Sequence, residues 1–458
     1  MMTAADSTSH GSPLRTGFLV IGRKRAGFDP EWGREMATAA WEALGQMKLE
    51  AVRPTMPVVD ERSLRSALDE LEKAGCDCLV VLQPTMGDGR LASVLAQLWD
   101  GPPVFWATPE RPDSPKVSSC SLVGAHSFAS IFRRLGRPFE IAYGHPDEPA
   151  TRRQVSTALR LAAAVVRLHR AKLGLVGQAA PGFLSMEVDP LQLGRNLGVH
   201  LLQFGLPEFF DLVEAQDDQA VEDDVARVVD LGLPFAEGVG QSDLATNSRY
   251  YLAMRALLSG EELDALAVRC WPELPNRFGQ WPYLAMARLA DEGEIAALEG
   301  DVDGAVCCLI GRLLGAGVGS ISDWLEHDEQ TITLWHPGHA PLSLCEPGTA
   351  RLGRHFNTNT PLVVDVRLAA ERPITVFRLW HCDGAYRLAA RNARTVVPRR
   401  EFAGTNGLAV LDDGNVPAWF EALCHEGMPH HVTLLPGHHA DTLKRLARLL
   451  QISWVAGL

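Results

Sequence analysis

Three acidic residues occur within five positions of a turn that also contains a glycine and is followed by another. The segment "LEGDVDG" places Glu299, Asp301 and Asp303 between an apolar run and a run with helical spacing. One acid in such a place caps the helix and complements its dipole. Three acids repel one another unless a cation lies among them. The turn therefore predicts a helix cap together with at least one metal-binding or catalytic acid.

A fourth acid follows a second strand-like run. The segment "LAVRCWPEL" ends in Glu273 just after its apolar residues. Ligands of open α/β sheets collect at the carboxyl ends of the strands, which favours a functional role. A solvated loop glutamate has the same local pattern, so both interpretations stand at this point.

Histidine is concentrated near the C-terminus, in "WHPGHAP" and "PHHVTLLPGHHAD". The residues concerned are His336, His339, His430, His431, His438 and His439. Histidine is the commonest metal ligand and the usual proton carrier at neutral pH. Carboxylates with a histidine suit a hard divalent cation that keeps positions open for substrate oxygens, so manganese or magnesium fits better than zinc.

The composition excludes several classes of protein. A length of 458 residues predicts two or three domains. The net charge of −13 argues against a surface for nucleic acid or for an anionic membrane. The polar start lacks a secretory core, and no apolar run approaches the ~20 residues of a membrane helix, which predicts a cytoplasmic protein. The nine scattered cysteines, without a CxxC pair, indicate reduced and mostly buried thiols.

The elements that must position these residues follow a clear order. After a disordered head at 1–15, apolar strands alternate with amphipathic helices over 16–147 and again over 148–322. Such alternation predicts two doubly wound, Rossmann-like α/β domains. A long helix starting near residue 148 links them. Residues 323–458 are rich in short strands and predict an antiparallel, barrel-like β domain.

The segment "RCWPELPNRFGQWPYLAMARLADEGEIAALEGDVDGAV" resembles the core of the L-fucose isomerase and L-arabinose isomerase superfamily, especially its shorter L-fucose isomerase-like branch. The resemblance continues through "WHPGHAP" and "PHHVTLLPGHHADTLKRLARLLQI" and covers most of the last two domains. Pro337 departs from the family pattern, which has "HCG" or "HLG" at this point. The first domain is similar in general architecture only.

The resemblance implies a sugar ketol-isomerase with a divalent metal, usually Mn²⁺. Carried onto this sequence, the metal ligands are Glu273, Asp301 and His431. Glu273 and Asp301 would also move the proton between C1 and C2 of the open-chain sugar through an ene-diol.

Four further residues receive supporting roles from the resemblance. His336 is a further ligand or a substrate contact. Glu299 and His430 would stand behind the ligands and orient them, and Asp303 would be the acid that caps the helix.

Members of the family act on L-fucose, D-arabinose or L-arabinose, and the shorter branch includes enzymes that isomerise sulfoquinovose, a glucose with a sulfonate at C6. A sulfonate requires hydrogen-bond donors, and His126, Gln241 and Arg249 are the candidate substrate contacts, although each is equally a solvated surface residue. The family also implies a homo-oligomer in which the N-terminal domain of one subunit lies near the site of its neighbour.

Two other classes of function remain open from the sequence. A non-catalytic, cytoplasmic sugar-binding or regulatory protein could share the paired α/β domains. A metal-dependent epimerase or hydrolase of sugar derivatives could share the acids and the metal.

Overall fold

The structure is a computed structural model that describes residues 15–23, 27–47 and 49–456. The predicted disordered head lies outside these residues except for Arg15, which begins the first strand. The chain divides into two compact units. The first contains the residues up to Arg167 with Arg448–Gln451, and the second contains Leu168–Ala447 with the residues from Ile452 onward.

The first unit is a doubly wound α/β domain with a five-stranded parallel sheet in the order β2-β1-β3-β4-β5. Its strands are β1 (Arg15–Val20), β2 (Glu50–Val52), β3 (Cys78–Leu82), β4 (Val104–Ala107) and β5 (Glu140–Tyr143). Its helices are α1 (Pro30–Gln46), α2 (Glu61–Lys73), α3 (Arg90–Leu98), α4 (Ser121–Arg134) and α5 (Pro149–Leu168). The strands β3 and β4 are buried throughout, as strands covered on both faces must be.

Helix α5 differs from the sequence prediction, which placed it in the middle domain as a linker from residue 148. Its residues Val155, Leu159 and Ala162 share a hydrophobic core with Val80 and Trp106 of the first sheet. This apolar stripe needs a sheet face to cover it, so the helix completes the first unit instead of opening the second.

The second unit begins with a four-stranded parallel sheet in the order β7-β6-β8-β9. Its strands are β6 (Lys172–Val176), β7 (His200–Phe204), β8 (Ala265–Val268) and β9 (Ala296–Ala297). Its helices are α6 (Pro190–Leu197), α7 (Leu206–Glu214), α8 (Asp218–Asp230), α9 (Leu244–Gly260), α10 (Glu273–Phe278), α11 (Tyr283–Asp291) and α12 (Val302–Leu313).

The remaining strands of the second unit form a nine-stranded sheet. They are β10 (Ser320–His327), β11 (Thr331–His336), β12 (Arg351–Arg354), β13 (Pro361–Arg367), β14 (Pro373–Cys382), β15 (Ala385–Val396), β16 (Thr405–Leu411), β17 (His431–Pro436) and β18 (Ser453–Trp454). The order β16-β11-β10-β17-β14-β15 is antiparallel throughout and closes because β15 also pairs with β16. The predicted antiparallel barrel is therefore confirmed. The last helices are α13 (Val416–His425) and α14 (Ala440–Leu450).

The parallel sheet and the barrel of the second unit share one core. Leu244 and Leu284, from helices of the α/β part, pack in the same cluster as Ile332, Leu334 and Val364 of the barrel. The boundary expected at residues 322 and 323 thus separates an alternating strand–helix pattern from a strand-rich pattern, although the hydrophobic core is continuous across it.

Helix α12 lies directly against the barrel. A Cβ atom at Gly311 would lie 2.4 Å from Cδ2 of Leu435 and 2.8 Å from the carbonyl oxygen of Gly317. Only glycine allows this approach, which brings the C-terminal part of α12 close to strand β17.

Two further expectations can be compared with the fold. All nine cysteines are free thiols, and five of them are buried. Among the described residues, no helix is long and apolar enough to cross a membrane.

A buried ion pair inside the second unit gives a test of its packing. Arg288 of α11 and Asp224 of α8 form two hydrogen bonds of 2.7 and 2.8 Å, with exposed side-chain fractions of 9% and 0%. Asp224→Ala leaves a buried guanidinium without its partner, so we expect a loss of about 3–5 kcal/mol in unfolding free energy, measured by urea denaturation. As a control, Glu214→Ala removes the exposed pair with Arg277 and should cost below about 1 kcal/mol. Equal losses in the two variants would contradict this account.

Candidate metal centre

The acidic turn between β9 and α12 is built from two consecutive residues in the left-handed region. Glu299 has a φ of +58° and Gly300 a φ of +69°. A Cβ atom at Gly300 would lie 2.2 Å from the carbonyl oxygen of Gln178, so this position requires glycine. Glu299 has a side chain, and a left-handed conformation costs a non-glycine residue roughly 1–2 kcal/mol. Strain of this kind is concentrated at functional sites.

Asp301, and not Asp303, caps helix α12. Its Oδ1 atom accepts a hydrogen bond of 2.9 Å from the amide of Gly304. Asp303 lies inside the first turn, where it is buried and accepts a 3.0 Å hydrogen bond from the hydroxyl of Tyr386. The capping role predicted for Asp303 was therefore wrong, because the left-handed turn ends at Gly300 and the helix begins two residues earlier than a cap at Asp303 would require.

The carboxylate of Asp301 is bound by a buried arginine. Arg378 of β14 donates from Nη1 to Oδ2 and from Nη2 to Oδ1, each over 2.7 Å. The exposed fractions of the two side chains are 1% and 0%. Burial alone would raise the pKa of Asp301, but Arg378 and a hydrogen bond from His431 hold it well below its usual range. Asp301 is thus ionised, and both of its carboxylate oxygens accept hydrogen bonds.

His431, the first residue of β17, uses its two ring nitrogens differently. Nδ1 lies 2.8 Å from Oδ2 of Asp301, which can only accept, so Nδ1 is the donor. Nε2 lies 3.2 Å from Oε2 of Glu299 and 3.6 Å from Oδ1 of Asp323. Burial would lower the pKa of His431, but the bond to Asp301 and the charge of Glu299 raise it to about 9. The surroundings of Nε2 therefore favour a positive charge.

Glu299 presents one bonded and one unbonded oxygen. Its Oε1 accepts a 2.8 Å hydrogen bond from Nε1 of Trp271. Its Oε2 is buried without a hydrogen-bond partner among the described residues. The same holds for Nε2 of His431, because the 3.2 Å contact between the two atoms lacks hydrogen-bond geometry.

Strand register brings two more donors to this point. Asp323 on β10 pairs with His431 of β17 on one side and with Trp335 of β11 on the other, next to His336. His336 is buried and its Nδ1 has no hydrogen-bond partner in the described part of the chain. Burial holds the pKa of His336 well below its usual value, so the ring is neutral and able to bind a metal.

Two overlapping groups of side chains could therefore hold a metal ion. The first is Glu299, His430 and His431, and the second is Asp323, His336 and His431. In each group the donor atoms lie within 4.8 Å of one another. Glu299, His336 and His431 each have a buried polar atom without a partner among the described residues. Carboxylate oxygens combined with imidazole nitrogens fit a divalent cation such as Mn²⁺.

Glu273 and Asp301, the acids predicted to bind the metal, belong to neither group. Glu273 begins α10 and is bound by Arg269, whose Nε lies 2.9 Å from Oε2 and whose Nη2 contacts Oε1. Asp301 is saturated by its own partners. Glu299, expected behind the ligands, instead presents a free oxygen to His431.

The other three residues predicted to contact the substrate belong to neither group. His126 is on the exposed face of α4 in the first unit, and Gln241 is exposed in a short turn before α9. Arg249 donates a 2.7 Å hydrogen bond to the carbonyl of Gln216 and pairs with Asp218. His430 is about half-exposed and packs against Phe183, with ring centroids 4.7 Å apart.

The second histidine pair bonds to backbone of the barrel. Nε2 of His438 lies 3.2 Å from the carbonyl oxygen of Ala393, and Nε2 of His439 lies 2.8 Å from that of Pro436.

Sequence reasoning did not single out Asp323. It is an isolated acid within a strand, and only the pairing of β10 with β17 connects it to the histidines.

Comparison with known proteins gives consistent results. Residues 19–168 match the family model described as "Fucose/sulfoquinovose isomerase, N-terminal domain". A sulfoquinovose isomerase of Priestia aryabhattai is 26% identical over 95% of this chain and 97% of its own length. One of Clostridium sp. (strain MSTE9) is 26% identical over 92% and 96%. An L-arabinose isomerase of Clavibacter sepedonicus is 24% identical over 43% of this chain and 39% of its own length.

The left-handed turn that holds Glu299 can be tested with a matched pair of glycines. Gly300 and Gly279 have φ values of +69° and +73°, but a Cβ atom has open space only at Gly279. We expect Gly279→Ala to lower the unfolding free energy by about 1 kcal/mol, from conformation alone. Gly300→Ala should lower it by a further ~1–3 kcal/mol because of the contact with Gln178. Chemical denaturation measures both, and similar losses would refute the close approach.

Proposed function

We propose that the chain is a divalent-metal-dependent aldose–ketose isomerase related to the L-fucose and L-arabinose isomerases. The observation that carries the proposal is the meeting of unpartnered, buried donor atoms around Nε2 of His431. A sugar-binding protein without chemistry has no need to bury such donors, since each unsatisfied group costs about 1–3 kcal/mol.

We propose that the metal ligands are Glu299, Asp323, His336 and His431. This set replaces both predicted acidic ligands, Glu273 and Asp301, and gives Asp301 the different role of orienting His431. A metal-binding imidazole commonly donates its other nitrogen to a carboxylate, which is the arrangement of His431 and Asp301. A divalent cation bound here would supply Lewis-acid stabilisation for the negative charge that develops on the sugar oxygens.

The two carboxylates beside His431 are suited to proton transfer. The carboxylate of Glu299, while also contacting the metal, would take the proton from C2 of an open-chain aldose and return it to C1. Without a metal, burial raises the pKa of Asp323 to about 6, although His431 opposes this. As a metal ligand Asp323 would be ionised and could accept a proton from a sugar hydroxyl. The Asp323 side chain is 25% exposed, which leaves it open to a substrate.

For the substrate we propose sulfoquinovose first. The relatives that match this chain over nearly its whole length are named sulfoquinovose isomerases, whereas the L-arabinose isomerases match less than half of it. Assembly as a homo-oligomer, with the N-terminal domain of a neighbour near the site, stays a prediction, as do the substrate contacts of His126, Gln241 and Arg249.

Activity on a sugar panel tests the proposed reaction. The protein is stripped with a chelator, supplied with Mn²⁺, and incubated with sulfoquinovose, L-fucose, D-arabinose and L-arabinose. We expect a ketose of unchanged mass from sulfoquinovose, detected by NMR, with little formed before Mn²⁺ is added. A product of changed mass would indicate a hydrolase, and an epimeric aldose an epimerase. No conversion of any sugar, despite bound Mn²⁺, would contradict the proposed reaction.

The ligand assignment is tested by two matched carboxylate variants. Glu299→Gln removes a proposed ligand, so we expect Mn²⁺ affinity, titrated by EPR, to fall by more than the roughly 10–100-fold typical of losing an outer partner. Glu273→Gln should leave the affinity close to that of the wild type, because this side chain is engaged with Arg269. The reverse result would return Glu273 to the ligand set and exclude Glu299.

A further inference from the structure

A buried arginine stands behind the candidate metal centre without touching any of its ligands. Arg378 is 1% exposed, and its two terminal nitrogens both bind the carboxylate of Asp301. Burying a guanidinium costs several kcal/mol unless a well-placed anion compensates, and the pair gains little stability over apolar residues of similar size. The pair therefore calls for an explanation beyond stability.

Asp301 receives four hydrogen bonds from three different elements. Two come from Arg378, one from the amide of Gly304 at 2.9 Å, and one from His431 at 2.8 Å. A carboxylate has about four lone-pair sites, so all are used. The fork of Arg378 and the helix amide fix both oxygens in place. The remaining donor is Nδ1 of His431. Because Oδ2 of Asp301 is held in place, the hydrogen bond to it determines the orientation of the His431 ring.

We propose that Arg378 is a positioning residue for the metal centre: by fixing the carboxylate of Asp301, it directs Nε2 of His431 toward Glu299 and Asp323. The inference deepens the proposed function and rests on it. The guanidinium is required, because its planar fork holds both oxygens at once. The ammonium of a lysine is a point charge that leaves the plane of the carboxylate free to rotate.

The test measures Mn²⁺ affinity of the full-length, metal-stripped protein by EPR titration, which needs no substrate. Arg378→Lys keeps the charge and loses the fork. The double variant Arg378→Met with Asp301→Asn removes both buried charges, so it should fold even if a single change does not. Tyr386→Phe is the control, because it removes a buried hydrogen bond to Asp303 on the same helix without touching Asp301 or His431.

We expect Mn²⁺ to bind about 10–100-fold more weakly to the double variant and to Arg378→Lys, and with wild-type affinity to Tyr386→Phe. Wild-type affinity in both Arg378 variants would overturn the positioning role and leave the proposed function intact. Equal weakening in Tyr386→Phe would also overturn it, since any loss of packing would then suffice. Failure of the wild-type protein to bind Mn²⁺ would instead overturn the metal-dependent function, and the inference with it.

Discussion

The ion pair between Asp301 and Arg378 is the interaction on which the arrangement of the second unit depends. It joins the start of α12 to β14, and through His431 it reaches β17. Burying either charge without its partner would destabilise the fold by several kcal/mol, so each of the two side chains requires the other. The N-terminal end of α12 also favours a carboxylate, which adds to the preference for Asp301 at the cap. Asp301 thus joins helix α12 to strands β14 and β17 of the barrel and fixes their relative positions beside the candidate site.

The turn before α12 divides its neighbouring acids between different tasks. The left-handed backbone at Glu299 and Gly300 separates the side chains of Glu299 and Asp301, which are only two positions apart. Asp301 is enclosed and saturated by donors, whereas Glu299 keeps a buried oxygen without a partner. The donor from Trp271 holds the other oxygen of Glu299 and so fixes the direction of the free one. Strain in the turn and the hydrogen bonds around it produce an acid that is available for a metal.

The sequence predicted the class of fold well, because alternating strands and helices leave a strong periodic signal. It also located the acidic turn and named His431, which belongs to both groups of candidate donors. It could not assign the acids. Spacing does not reveal that Gly300 takes a left-handed conformation against Gln178, and this conformation decides which acid caps the helix. Asp323 had no local signal, since its position depends on how β10 pairs with β17 across 108 residues of chain.

The charge of the site separates catalysis from the choice of substrate. Glu299 and Asp323 bring negative charge to the candidate metal centre, and a bound divalent cation would largely neutralise it. The nearby arginines are already paired: Arg378 with Asp301 and Arg269 with Glu273. An anionic sugar such as a sulfonate would therefore gain little from these guanidiniums unless it displaced a carboxylate. Under the proposed function, the donors for a sulfonate would lie outside these two ion pairs, so substrate preference could change while the residues around His431 stay the same.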